Sequence, residues 1–265
     1  MSVTEYQSKG ARIVVRDVTK TYPGKEQDVY ALKPVSFEIE AGEFVSLIGP
    51  SGCGKSTLML IIAGLLAPTT GKIMIDEELL TQPLTDVGIV FQDHLLLDFR
   101  TAINNILLQT QVRNFPKEEA RSQALRLLDQ LGLKGAEDRY PNQLSGGMRQ
   151  RVSLGRALIH EPSVLLMDEP FGALDAITRT QMRLDLERLW LKRRMTVVFI
   201  THSVEEAVGL SDRVIVMSPG PGEIVNEVKI DMPRPRPVDL GLEEAYVEYA
   251  DMVFEEFKQL GVLRV

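Results

Sequence analysis

Nine consecutive residues carry the first chemical signal. Gly49-Pro50-Ser51-Gly52-Cys53-Gly54-Lys55-Ser56-Thr57 fits the pattern G-x-x-x-x-G-K-[ST]. Glycines at this spacing let the backbone turn until its N–H groups converge on phosphate oxygens. A helix opening at Lys55 adds the positive end of its dipole. Lys55 supplies a cation for the β- and γ-phosphates of a nucleotide, and the Ser56 hydroxyl suits Mg²⁺. Cys53 reads as a spacer, whose alkylation would block nucleotide binding by bulk. A second signal lies downstream, where the apolar run Val164-Leu165-Leu166-Met167 ends in Asp168-Glu169. A buried strand that delivers acids at its C-terminal end places charge beside a nucleotide in an α/β sheet. Asp168 suits a Mg²⁺ shell through water. Glu169 suits a base that polarises an attacking water. By themselves the two acids could equally cap a strand and start a turn. Beside a phosphate loop they read as catalytic.

These residues need strands and helices to hold them. Strand-like runs occur at Arg12–Val15, Ser36–Ile39, Phe44–Ile48, Lys72–Asp76, Val87–Phe91, Ser163–Met167, Met195–Ile200 and Val214–Met217. Helix is expected from Lys55 to about Ala67. Ala120, Ala124, Leu127, Leu128 and Leu131 recur at helical spacing, between Pro116 and Gly132. Met182, Leu186, Leu189 and Trp190 form another stripe, and Tyr246, Tyr249, Val253, Phe257 and Leu260 a last one. Strands alternating with helices predict an α/β fold with a mostly parallel sheet. The helical stretch of about 93–160 reads as an insertion. Residues 1–220 are expected to form the main domain, and 221–265 a C-terminal extension ending in a helix. The alternating prolines of Met232–Pro237 predict a segment running extended over the surface.

Composition narrows the function classes. Among 265 residues, 30 basic against 37 acidic give a net charge of −7, unsuited to electrostatic nucleic-acid binding. One cysteine and three scattered histidines (His94, His160, His202) give no zinc-site spacing. The first twelve residues lack an apolar core, so no secretory signal is expected. The longest apolar run, Leu58–Ala67, falls far short of the roughly 20 residues that span a bilayer.

Leu144-Ser145-Gly146-Gly147-Met148, followed by Arg149-Gln150-Arg151, resembles the signature motif of ABC transporter ATPases. The resemblance covers about residues 12–220 in order. It implies a P-loop NTPase core with an antiparallel β part at the N-terminus and an inserted helical subdomain. It also implies hydrolysis of ATP with Mg²⁺, and two chains pairing head to tail. Each ATP is then held between one chain's phosphate loop and the other's Ser145, Gly146 and Gly147. By the same resemblance, Tyr22 stacks on adenine, and Gln92 contacts Mg²⁺ and the lytic water. Asp175, in Gly172-Ala173-Leu174-Asp175, contacts the partner chain, and His202 is the switch histidine reaching the γ-phosphate. Two positions depart from the pattern: Met148 stands where Gln is commoner, and Asp98-Phe99 where related importers often carry Pro-Trp. Asp93–Arg100 resembles the groove that receives a helix of a membrane subunit, although Leu95–Leu97 could equally be core.

The interval between phosphate loop and signature is too short for the long coiled coils of chromosome and repair ATPases. A single ATPase domain without membrane helices resembles an importer subunit. Phe171–Asp175, Ser218-Pro219-Gly220-Pro221-Gly222 and Pro233–Arg236 together resemble the ATPases of nitrate, sulfonate and taurine importers. The partners implied are a second ATPase subunit, two membrane-spanning permease subunits and, indirectly, a solute-binding protein. The place implied is the cytoplasmic face of the inner membrane, with the chain peripheral to it. The other reading is a soluble P-loop ATPase or kinase not coupled to transport, which leaves Leu144–Met148 and His202 unexplained.

Overall fold

The computed structural model describes residues 10–262. Most of the first twelve residues, from which the absence of a secretory signal was expected, lie outside that range. Two sheets form the body. The N-terminal sheet is antiparallel, in the order β2 (Val29–Ile39), β1 (Ile13–Tyr22), β4 (Thr70–Ile75), β5 (Glu78–Leu79). The second sheet runs β10 (Ile224–Lys229), β9 (Arg213–Met217), β3 (Phe44–Ile48), β8 (Thr196–Thr201), β7 (Val164–Asp168), β6 (Val87–Val90). All its neighbours are parallel except the β9–β10 pair. Strands β3 and β8 are buried at every residue, which explains sequences that are apolar but for Ser46 and the terminal Thr196 and Thr201.

Helix α1 (Lys55–Ile62) lies between the sheets, with Leu58, Ile61 and Ile62 in a core shared with Ile13, Val15, Leu47 and Val198. It stops short of Ala67, where the sequence led us to end it. Gly64 turns the chain at φ 69°, and a Cβ there would lie 2.7 Å from the Gln82 carbonyl. Between β6 and β7 come α2 (Ala102–Ile106), α3 (Leu108–Val112), α4 (Lys117–Gln130) and α5 (Gly146–Leu158). The apolar faces of α2, α4 and α5 meet in one cluster with Trp190 and Phe199, so the helical block is packed on the sheet. Close approach of α5 requires Gly88 in β6, where a Cβ would sit 2.5 Å from the Ala157 carbonyl.

Three elements complete the body: α6 (Ala176–Arg193), α7 (Val204–Leu210) and α8 (Glu244–Gln259). Two expectations for the chain's end are corrected. The sheet crosses the division drawn at 220/221, because β10 pairs with β9 from Ile224 to Lys229. Strand β10 escaped the sequence reading because only Val228 of its six residues is buried. The Pro-Arg stretch does not run over the surface. Met232 and Arg236 are buried, and Arg234 lies 4.4 Å from the Trp190 ring centre. The Arg234 guanidinium also pairs with Glu187 at 3.0 Å and Asp212 at 2.9 Å. Prolines excluded helix as expected, but alternate side chains turn inward and tie the segment to α6, to α7 and to the turn before β9.

Candidate active site

Parallel strands gather the chemistry at one edge. The phosphate loop follows β3, His202 follows β8, Asp168 and Glu169 end and follow β7, and Gln92 lies two residues past β6. These four strands are consecutive neighbours, so four distant stretches of sequence meet along the C-terminal rim. In the phosphate loop, Gly52 and Gly54 adopt φ 79° and 98°, the left-handed region that favours glycine. Gly49 packs so tightly that a Cβ would lie 2.9 Å from the Met217 carbonyl. Pro50 accepts the Cys53 N–H at 3.3 Å, which closes the turn around Ser51. Lys55 is buried, and its ammonium donates to the carbonyls of Gly49 at 2.7 Å and Pro50 at 3.0 Å. The cation thus lies within the loop whose amides would receive phosphate. Thr57 follows on the first turn of α1, 3.4 Å from the Tyr22 hydroxyl. Tyr22 is half-exposed at the end of β1, and Lys20 Nζ lies 5.1 Å from its ring centre. An aromatic face is therefore available beside the loop.

Cys53 is fully buried, and that burial pushes its thiol pKa up despite the nearby Lys55. Thiolate is the reactive form, so the alkylation considered from sequence meets a shielded, protonated group.

The acids are held differently. Burial raises the Asp168 pKa, and neighbouring Glu169 raises it further; a hydrogen bond from Ser56 and the charge of Lys55 oppose both. Ser56, Lys55 and Asp168 therefore form one cluster. Glu169 follows at φ 44°, a left-handed conformation uncommon for a residue with a side chain. Its N–H donates to the Ile200 carbonyl at 2.9 Å, anchoring it to β8. Its Oε2 lies 3.2 Å from His202 Nδ1, and the imidazole is exposed. Gln92 is exposed at the rim, where the chain leaves for the helical block.

Ser145, Gly146 and Gly147 sit elsewhere. Ser145 caps α5, accepting the Met148 N–H at 3.3 Å. A Cβ on Gly147 would lie 2.6 Å from Thr178 Cγ2, so this helix start packs against α6. A Cβ on Gly146 would meet nothing within 4 Å, which leaves the other side open. Asp175 caps α6, its carboxylate accepting the Thr178 N–H at 3.0 Å and hydroxyl at 2.7 Å. Those bonds hold its pKa below the usual carboxylate range. The structure therefore brings together Tyr22, the loop 49–57, Gln92, Asp168, Glu169 and His202. It sets Ser145–Gly147 against the start of α6 near Asp175.

Sequence reasoning missed two supports. One is the Ser218–Gly222 turn behind the phosphate loop: a Cβ on Gly222 would lie 1.9 Å from the Cys53 carbonyl. Gly222 also bonds β2, donating to Ala31 and accepting from Lys33. The other is Glu206, buried behind His202 and accepting the Thr201 hydroxyl at 2.5 Å. The pattern Ser203-x-x-Glu206, a helix-start signal, was the trace it left in the sequence.

The sequence model described as ABC transporter matches residues 32–172. The chain belongs to the ABC transporter ATPases. An aliphatic sulfonates import ATP-binding protein of Bacillus cereus is 37% identical over 252 residues, covering 95% of this chain and 98% of its own length. A bicarbonate transport ATP-binding protein of Synechocystis is 39% identical, covering 90% and 86%. An uncharacterized ABC transporter ATP-binding protein of Methanocaldococcus jannaschii is 45% identical, covering 85% and 84%. Among solved structures, a dimeric bacterial ABC transporter cassette superposes with TM-score 0.75 at 38% identity, covering 83% of this chain and 100% of that one. A dimeric post-hydrolysis cassette bound to ADP and phosphate gives 0.74 at 35% identity, with the same coverage. This ABC ATPase accordingly binds and hydrolyses ATP.

Proposed function

We propose that this ATPase energises uptake of a small anionic solute of the nitrate, sulfonate or taurine type. Two copies act as a pair at the cytoplasmic face of the inner membrane, bound to two membrane-spanning permease subunits that a solute-binding protein serves. The observation that carries this reading is kinship over nearly the whole chain with a sulfonate import ATPase, 95% of one and 98% of the other. The bicarbonate relative also handles a small anion by its name. Among the described residues no helix is long and apolar enough to cross a membrane, which suits a subunit that works with membrane-spanning partners. A groove of about 610 Å³ beside the helical block supplies a surface for one. Leu65, Leu84, Val87, Phe91, Leu95 and Val112 line it in part.

Chemically, the rim suits attack of water on a γ-phosphate. Loop amides and Lys55 hold the phosphates, and Tyr22 faces the base. Glu169 takes the proton of the attacking water as its oxygen bonds to phosphorus and the bond to the β-phosphate oxygen breaks. His202, held against Glu169 at 3.2 Å, donates to the γ-phosphate oxygens. Ser145–Gly147 of the second copy close the other side, with Asp175 near the junction. Among the described residues no three His, Cys, Asp or Glu side chains gather as a metal site. The oxygen donors Ser56 and Gln92, with Asp168 through water, would suit Mg²⁺ carried in with the nucleotide, because Mg²⁺ takes few protein oxygens and keeps several waters beside phosphate. When bound, that ion would neutralise charge on the β- and γ-phosphates.

Purification from native membranes in detergent, with partners identified by mass spectrometry, tests the proposal. A polytopic membrane subunit is expected, and a vesicle carrying it should take up sulfonate or nitrate only with ATP. A soluble partner alone, under conditions that trap ATP, would replace the importer reading with that of an uncoupled ATPase.

A further inference from the structure

Glu206 belongs to no part of the mechanism above, yet it is a buried carboxylate directly behind the catalytic rim. Its Oε2 accepts the Thr201 hydroxyl at 2.5 Å, and the same hydroxyl oxygen accepts the Ser203 N–H at 3.0 Å. The residues on either side of His202 are thus both tied, one directly and one through it, to this carboxylate. The Ser203 hydroxyl accepts the Glu206 N–H at 3.3 Å, closing the bend in which His202 sits. On its other side, Glu206 Oε1 lies 3.4 Å from Arg179 Nε on α6. Arg179 reaches back to donate from Nη2 to the Leu174 carbonyl at 3.0 Å. Leu174 immediately precedes Asp175, the α6 cap assigned above to the junction between copies. The Phe171 and Phe199 rings, 5.4 Å apart, brace the same loop against β8. A contiguous path therefore runs from the 172–175 loop through Arg179 and Glu206 to the peptide carrying His202, hydrogen-bonded at each end and joined in the middle by the Arg179–Glu206 ion pair rather than by a hydrogen bond.

We infer that Glu206 and Arg179 are positioning residues that set the His202 imidazole against Glu169 according to the placement of the 172–175 loop. The inference rests on the proposed roles of Glu169, His202 and Asp175. A buried carboxylate held by a hydroxyl on one side and a guanidinium on the other has one favourable orientation. A shift of the loop carbonyl on partner docking is then passed to the bend at Thr201–Ser203. Seating of the second copy and readiness for hydrolysis become one event.

The test is kinetic and spectroscopic. Glu206→Gln keeps the side-chain shape and an acceptor for Thr201 but releases Arg179. Arg179→Gln, on a partly exposed side chain, does so from the other end with less risk to folding. Each should lower kcat about tenfold while KM for ATP stays within twofold. In a His202→Ala background, read by single-turnover hydrolysis with enzyme in excess, Glu206→Gln should cost less than a further twofold. A full tenfold further loss would make Glu206 an independent structural residue and overturn the inference. Ring-labelled histidine gives a second readout, with the His202 signal assigned by its loss in His202→Ala. That signal should shift in Arg179→Gln, and an unmoved signal would equally overturn the inference. Wild-type turnover in His202→Ala would instead remove His202 from the mechanism, leaving the ring shift to judge the coupling.

Discussion

Glu169 stands where three constraints meet: a left-handed backbone, an amide tied to β8 and a carboxylate 3.2 Å from His202. Its orientation is set before substrate arrives, which is what a base needs to act without reorganisation. Glu169→Gln is expected to bind ATP about as well as the parent and to hydrolyse it ~10²–10⁴ times more slowly, the usual scale of general-base catalysis. Equilibrium nucleotide binding and steady-state phosphate release check both halves. Lys55→Ala should act in the opposite sense, weakening ATP binding roughly 10–100-fold through loss of a charge-assisted bond. Calorimetric titration reads it directly. The phosphate loop and the Asp168-Glu169 pair were legible in the sequence because their chemistry demands fixed residue types at fixed short spacings. Glu206 and Arg179 were not, because 27 positions separate them and only the packing of α6 on α7 joins them.

At the scale of elements, buried strands and striped helices were legible and sheet edges were not. Strand β10 is largely exposed, so its apolar pattern is thin, and its place is fixed by backbone pairing to β9. The Pro-Arg stretch misled for a related reason. Charged residues read as solvent-facing, but Arg234 and Arg236 turn inward, where carboxylates and carbonyls receive them. Arg234→Ala would take from Glu187, whose side chain is 2% exposed, its direct ion pair, leaving it the Arg236 N–H and the charges of Arg183 and Arg236. The expected loss stays below the ~3–5 kcal/mol of a buried charge left with no partner, because those groups remain. The urea midpoint measures it. His160, at the end of the α5 segment, bonds the Val87 carbonyl at 3.2 Å. Burial lowers its pKa below the ordinary 6.5, and the charge of Arg113 lowers it further. Unfolding exposes an imidazole that takes up a proton below that ordinary value. The folded state therefore loses stability as pH falls from about 6.5 towards the depressed value, and is unaffected above it. His160→Gln should flatten the fall in stability between pH 7.5 and 5.5, read from urea titrations at the two values.

As a whole molecule, the chain holds one phosphate loop on its strand rim and one open helix start at Ser145–Gly147, turned towards α6. Spacing alone did not reveal that separation, which the family resemblance implied; it follows from the helical block packing as a unit. Pairing should follow nucleotide: with ATP, Glu169→Gln is expected to elute as a dimer of the 29.6 kDa chain. Adding Gly146→Arg, where the backbone faces open space, should keep the fold and abolish that dimer. Size exclusion with light scattering distinguishes the two. The turn behind the phosphate loop has a consequence for synthesis. The loop is made first, and the Gly222 backbone that backs Cys53 and bonds β2 follows some 170 residues later. At about 5–20 residues per second, that is a delay of roughly 10–35 s. A nascent chain is thus without the rear wall of its nucleotide seat until Gly222 has been made, and ATP can reward folding only from then on.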